Sequence, residues 1–122
     1  MLKEEMLKKM IWAVVGANED PERYGNIIYR NLKSRGFEVY PVNPGYETVD
    51  GDTCYKDLTS LPKLPEVINM VISPKRGRSV IEEAAQLGIR NIWLQPGTFD
   101  NDLIKRIDEL GLKAVQACVL TT

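Results

Sequence analysis

Apolar residues fall along this chain in short blocks separated by stretches of helical period. The first block, Ile11-Trp12-Ala13-Val14-Val15-Gly16, has strand length and no clean alternation, the pattern of a strand covered on both faces of a parallel sheet. Residues 37–42, 67–72, 89–94 and 112–117 repeat it, giving five expected strands. Between them Ile27, Ile28 and Leu32 precede Gly36. Val80, Ile81, Ala84, Ala85 and Leu87 precede Gly88, and Leu103, Ile104, Ile107 and Leu110 precede Gly111. Each set predicts an amphipathic helix stopped by a glycine. Leu2, Met6, Leu7 and Met10 predict a short helix within residues 1–10. Residues 45–65 are less regular. Asp50-Gly51-Asp52 reads as a turn and Leu58, Leu61 and Leu64 as an apolar edge, so a loop with one short helix is expected. Such β–α–β alternation with short links specifies an open parallel sheet with helices on both faces.

Length narrows the picture to a single domain over residues 1–122, since one hydrophobic core fits 122 residues and a second catalytic domain does not. Apolar residues are 43% and charged residues 27%, and no apolar run approaches a membrane span, so a folded protein with no membrane partner is expected. Sixteen Lys and Arg against 17 Asp and Glu give no overall pull toward nucleic acid, so any anion site must be local. Histidine is absent, which removes phosphohistidine chemistry, imidazole bases and the commonest metal ligand. Cys54 and Cys118 lie far apart with no Cys or His beside them, so neither a zinc spacing nor a CxxC pair can form. The N-terminal residues carry acidic side chains and no apolar segment of the kind a secretory signal needs, so a cytoplasmic location is expected.

In an open α/β sheet ligands bind beyond the carboxyl ends of the strands, where the strand order reverses. After the first strand the chain reads Gly16-Ala17-Asn18-Glu19-Asp20-Pro21-Glu22-Arg23-Tyr24-Gly25-Asn26. Small residues let backbone approach a ligand, free N–H groups at a helix start favour phosphate, and Gly25 permits close packing. The run is a stretched relative of the dinucleotide fingerprint, with Asn18 at the second glycine; a tight turn without ligand is the alternative. The second strand ends in Val42-Asn43-Pro44-Gly45, with no carboxylate for the ribose hydroxyls of NAD. The third ends in Ile72-Ser73-Pro74-Lys75-Arg76-Gly77-Arg78, three cations in four residues that oppose a helix dipole and so invite an anion, or form a solvated cap. The fourth ends in Gln95-Pro96-Gly97, whose amides suit an amide-rich ligand arm or an ordinary turn.

Taken together, Val15-Gly16-Ala17-Asn18, Gly25-Asn26, Arg30-Asn31-Leu32, Tyr40-Pro41-Val42-Asn43-Pro44, Pro74 and Trp93-Leu94-Gln95-Pro96-Gly97 resemble the stand-alone CoA-binding domain family. That family is similar to the domain opening the succinyl-CoA synthetase α chain and the ADP-forming acyl-CoA synthetases. The likeness runs from about residue 11 to residue 118. It implies that Gly16, Ala17, Asn18 and Arg23, with Tyr24 and Gly25 beside them, border a CoA diphosphate. Asn43 and Pro44 would lie by the ribose, Ile72, Ser73 and Pro74 by the adenine, and Gln95 and Gly97 along the pantetheine arm, with Cys118 nearby. Ile72-Ser73 stands where many members have an Arg pair, which shifts the phosphate role to Lys75 and Arg76.

The expectation is therefore a Rossmann-like three-layer α/β fold with a five-stranded parallel sheet of order 3-2-1-4-5, binding CoA or an acyl-CoA as a non-catalytic carrier or sensor. Two rivals stand beside it: an NAD(P)-binding redox-sensing domain, and a ligand-free interaction module, one form of which is a homodimer paired through the N-terminal helix.

Overall fold

A computed structural model describes residues 1–122. The apolar blocks become strands because helices cover both their faces. Strands β1 (Ile11–Val15), β2 (Glu38–Val42), β5 (Val67–Met70), β6 (Asn91–Leu94) and β7 (Lys113–Gln116) form one parallel sheet, and β3 (Thr48–Val49) pairs antiparallel with β4 (Asp52–Thr53). Helices α1 (Leu2–Leu7), α2 (Tyr24–Ser34), α3 (Pro74–Leu87) and α4 (Asn101–Glu109) precede a final 3-10 turn, Val119–Thr121.

Alternate residues of the strands feed two core layers. Ala13, Val15, Ile68, Met70, Ile92 and Leu94 meet Ile81 and Ala84 of α3 and Leu103 and Ile107 of α4. Trp12, Val14, Val67, Trp93 and Val115 meet Ile28, Tyr29 and Leu32 of α2, Met6 of α1 and Val119. The three-layer α/β class is thus as expected, and the N-terminal helix buries its Met6 within its own chain. Gly36, Gly88 and Gly111, all at positive φ, return the helices to their strands. No helix is long and apolar enough to cross a membrane.

Two expectations need correction. Counting only the five sheet strands, the order is 2-1-3-4-5 rather than 3-2-1-4-5. The reason lies in residues 43–66. They hold no helix, only turns closed by Tyr46 N–H to Asn43 O (3.4 Å) and by Leu61 N–H to Leu58 O (3.2 Å), and the β3–β4 hairpin folds back on β2. Tyr55 occupies β2's outer edge: its N–H donates to Pro41 O and its carbonyl accepts from Asn43 N–H, both at 2.9 Å. A third sheet strand cannot pair there, so β5 takes the free side of β1. The chain order consequently reverses between β1 and β5, which sets the exits of those two strands side by side.

Candidate functional site

The junction of β1 with α2 is built from two glycines. Gly16 has φ +100, and a Cβ there would lie 2.7 Å from Val71 O and from Ile72 Cγ2. A Cβ on Gly25 would lie 2.1 Å from Gly16 O, so the first turn of α2 rests directly on the backbone leaving β1. The intervening loop is closed by its own side chains. Asn18 Oδ1 accepts from Asp20 N–H (2.7 Å), Asp20 Oδ1 from Glu22 N–H (3.0 Å), and Asn26 Nδ2 donates to Asn18 O (2.7 Å). Arg23, the N-cap of α2, supplies no side-chain cap, and the N–H groups of Tyr24 and Gly25 have no acceptor in the protein. Unsatisfied amides at the positive end of an 11-residue helix favour an anion.

These amides open on a crevice of about 860 Å³ between the exits of β1, β5 and β6, within the size range of small-molecule sites. It brings together Gly16, Asn18, Arg23, Tyr24, Gly25, Asn43, Ile72, Ser73, Arg76, Gln95 and Gly97, eleven of the fifteen residues singled out from the sequence. A second hollow of about 310 Å³ shares Gly16, Asn43, Ile72 and Arg76 with it, and adds Pro44, Lys56 and Ser79. The two are lobes of one trough over the carboxyl edge of the sheet, with Arg76 between them.

Residues 11–122, the sheet and the whole trough with it, match the sequence model of the CoA-binding domain. The chain belongs to that family. Among relatives of this CoA-binding domain, the α subunit of an ADP-forming acetate–CoA ligase from Pyrococcus furiosus is 32% identical over 66% of the chain. The chain spans only 18% of that subunit. The uncharacterised YneT of Bacillus subtilis is 25% identical over 90% of the chain and 82% of its own length. The solved structure of a hypothetical protein from Pyrococcus horikoshii superposes with a TM-score of 0.91 at 35% identity, covering 98% of this chain and 85% of that one.

Four expected residues of the CoA-binding domain sit differently. Ala17 is fully buried beneath the loop, where its carbonyl accepts from Asn43 Nδ2 at 2.8 Å. Pro44 lines only the smaller lobe. Pro74 and Lys75 line neither; Pro74 opens α3 and Lys75 is exposed outside the trough. Asn43 does double duty as a strut, because its Oδ1 also accepts from Gly45 N–H at 2.8 Å. Gln95 is 4% exposed, with Oε1 accepting from Val119 N–H (3.0 Å) and Asn69 Nδ2 (3.4 Å).

Charge is unevenly matched around the trough. Arg23 lies 3.5 Å from Asp20, whereas Arg76 enters no ion pair. Carboxylates also line it: Glu22 in the larger lobe, and Asp57 and Glu83 in the smaller. Glu83 is occupied, accepting from Leu58 N–H, Thr59 N–H and Thr59 Oγ1. Lys56, Ser79 and Thr98 were not foreseen as lining residues. Lys56 arrives on the segment whose course no local pattern announces, while Thr98 follows directly on the Pro96-Gly97 turn and was within reach of the sequence. Cys54 lies outside both lobes, buried, with its thiol pushed up by that burial.

Proposed function

We propose that the trough holds CoA or an acyl-CoA, and that the chain acts as a carrier or sensor without catalysing a reaction. The observation that carries this reading is the Gly16–Gly25 junction, which leaves uncapped N–H groups of α2 facing a crevice bordered by the unpaired cation Arg76. A diphosphate suits that pair of features: the amides offer fixed donors and the guanidinium a charge-assisted, bidentate partner. The family likeness supports the assignment of parts, with the diphosphate along residues 16–18 and 23–25. Adenosine would lie by Asn43, Pro44, Ile72 and Ser73, and the pantetheine arm toward Gln95 and Gly97. Of the two cations expected to serve phosphate, Arg76 borders the trough and Lys75 does not, so the role falls to Arg76 alone. The ligases among the relatives are much longer chains, which supports binding rather than ligation as the part this domain plays.

Calorimetric titration with CoA and with NADPH in parallel tests the reading, CoA being the expected ligand; preference for NADPH would end it. Arg76→Ala should weaken CoA about tenfold, the loss of roughly 1.4 kcal/mol expected at the low end for a bond to a charged group. Lys75→Ala should leave the affinity unchanged. The reverse pattern would move the phosphate site out of the trough.

A further inference from the structure

Cys118 borders the larger lobe of the trough and is half-buried there, unlike Cys54. It stands at the start of the final 3-10 turn, where its carbonyl accepts from Thr121 N–H (3.2 Å) and Thr121 Oγ1 (2.9 Å). Arg35 holds the following residues in place by donating to Val119 O (3.0 Å) and Thr122 O (2.8 Å). The thiol is therefore carried on a tethered segment.

A second observation at the same spot points to a ligand. The N–H of Val119, next in the chain to Cys118, donates to Gln95 Oε1, which fixes which end of that amide faces the backbone. The other end, Nε2, has no acceptor in the protein, although the Gln95 side chain is more than nine-tenths buried. It is not sealed in: the only sealed side-chain atom without a partner is Asn69 Oδ1. Gln95 lines the crevice, so its free donor is directed at whatever fills the space beside Cys118. An amide carbonyl from a ligand seated there would supply the acceptor that the protein does not.

We propose that Cys118 captures a pantetheine-type thiol as a mixed disulfide, with Gln95 Nε2 donating to a carbonyl of the ligand arm. The proposal rests on the CoA reading of the trough. The chemistry is thiol–disulfide exchange with a low-molecular-weight disulfide of the ligand as co-reactant. The Cys118 thiolate attacks one sulfur of that disulfide, the ligand's S–S bond breaks and a Cys118 Sγ–S bond forms. The second ligand half leaves as a thiolate and takes up the proton that Cys118 released, so no further oxidant is consumed.

The test incubates the reduced protein with CoA disulfide, or with glutathione disulfide in a parallel sample, and follows intact mass and peptide mapping. The expected result is a single CoA adduct mapped to Cys118. It should form about tenfold faster than the glutathione adduct, a ratio that one additional favourable contact accounts for, and be removed by dithiothreitol. The adduct should persist in Cys54→Ser and vanish in Cys118→Ser; mapping on the unaltered protein requires neither variant. If CoA binds reversibly under dithiothreitol but the disulfide labels Cys54 or nothing, the capture proposal fails and the trough reading stands. If CoA does not bind under dithiothreitol and both disulfides label Cys118 equally fast, the trough reading fails and the proposal falls with it.

Discussion

Gly25 and Gly16 meet at the one contact on which the site's geometry depends. A methyl group on Gly25 would have to displace the carbonyl of Gly16, and backbone cannot move aside as the end of a flexible side chain can. Gly25→Ala should therefore destabilise the fold by about 3 kcal/mol, the upper range for overpacking, read from urea midpoints at constant slope. Its CoA affinity should also fall, because the amides of α2 would be pushed off the exit of β1. Retained stability and binding would mean that the junction is looser than it looks. The packing role of Gly25 was legible from the sequence as a small residue opening a helix after a strand. What was not legible is that Asn18, standing where the dinucleotide fingerprint has a second glycine, closes the loop with its own side chain and carbonyl. The fingerprint is stretched because Asx turns do the bending that a glycine would otherwise allow. Asn43 carries the same lesson, since a residue expected to face a ribose also ties the exits of β1 and β2 together.

Among the elements, the β3–β4 hairpin decides most and was announced least. It is pinned to α2 through Asp52, which accepts from Tyr29 Oη at 2.6 Å and from Lys33 Nζ at 2.5 Å. Lys33 first, and then Tyr29, hold the Asp52 carboxyl below the usual carboxylate range. A lowered pKa in the folded state adds stability above the ordinary carboxyl value of about 4, and that stability is lost as pH falls through the lower folded value. Asp52→Asn should consequently cost about 1 kcal/mol at neutral pH, as the charge leaves a partly exposed pair and a buried phenol. Denaturation midpoints of parent and variant should converge once the carboxyl is protonated in both folded and unfolded states; a gap independent of pH would assign the loss to geometry. Periodic elements such as α2, α3 and α4 were legible because burial of one face imposes a local repeat. The hairpin and the strand order were not, because the pairing of Tyr55 with the outer edge of β2 joins residues that no repeat links. That pairing moves β5 beside β1, and the trough moves with it.

For the whole molecule, the trough lies across the exits of β2, β1, β5 and β6, strands that feed both core layers, so a ligand seated there should stabilise the fold as a unit. At a CoA concentration of about 100 times Kd the gain is about 2.7 kcal/mol, which for a domain of this size raises Tm by on the order of 10 °C. Differential scanning fluorimetry across a CoA series checks it, and a flat series would place the trough outside the binding event. Such a series has a natural reporter. The chain has two tryptophans, fully buried and 5.8 Å apart between ring centroids. Trp93 donates its indole N–H to Ala117 O at 2.9 Å, one residue before Cys118, and lies two residues before Gln95 on the same chain. The protein thus carries its own optical gauge: an occupant that shifts either neighbour changes the polarity at one indole, and the other, in close contact, relays the disturbance into a common emission.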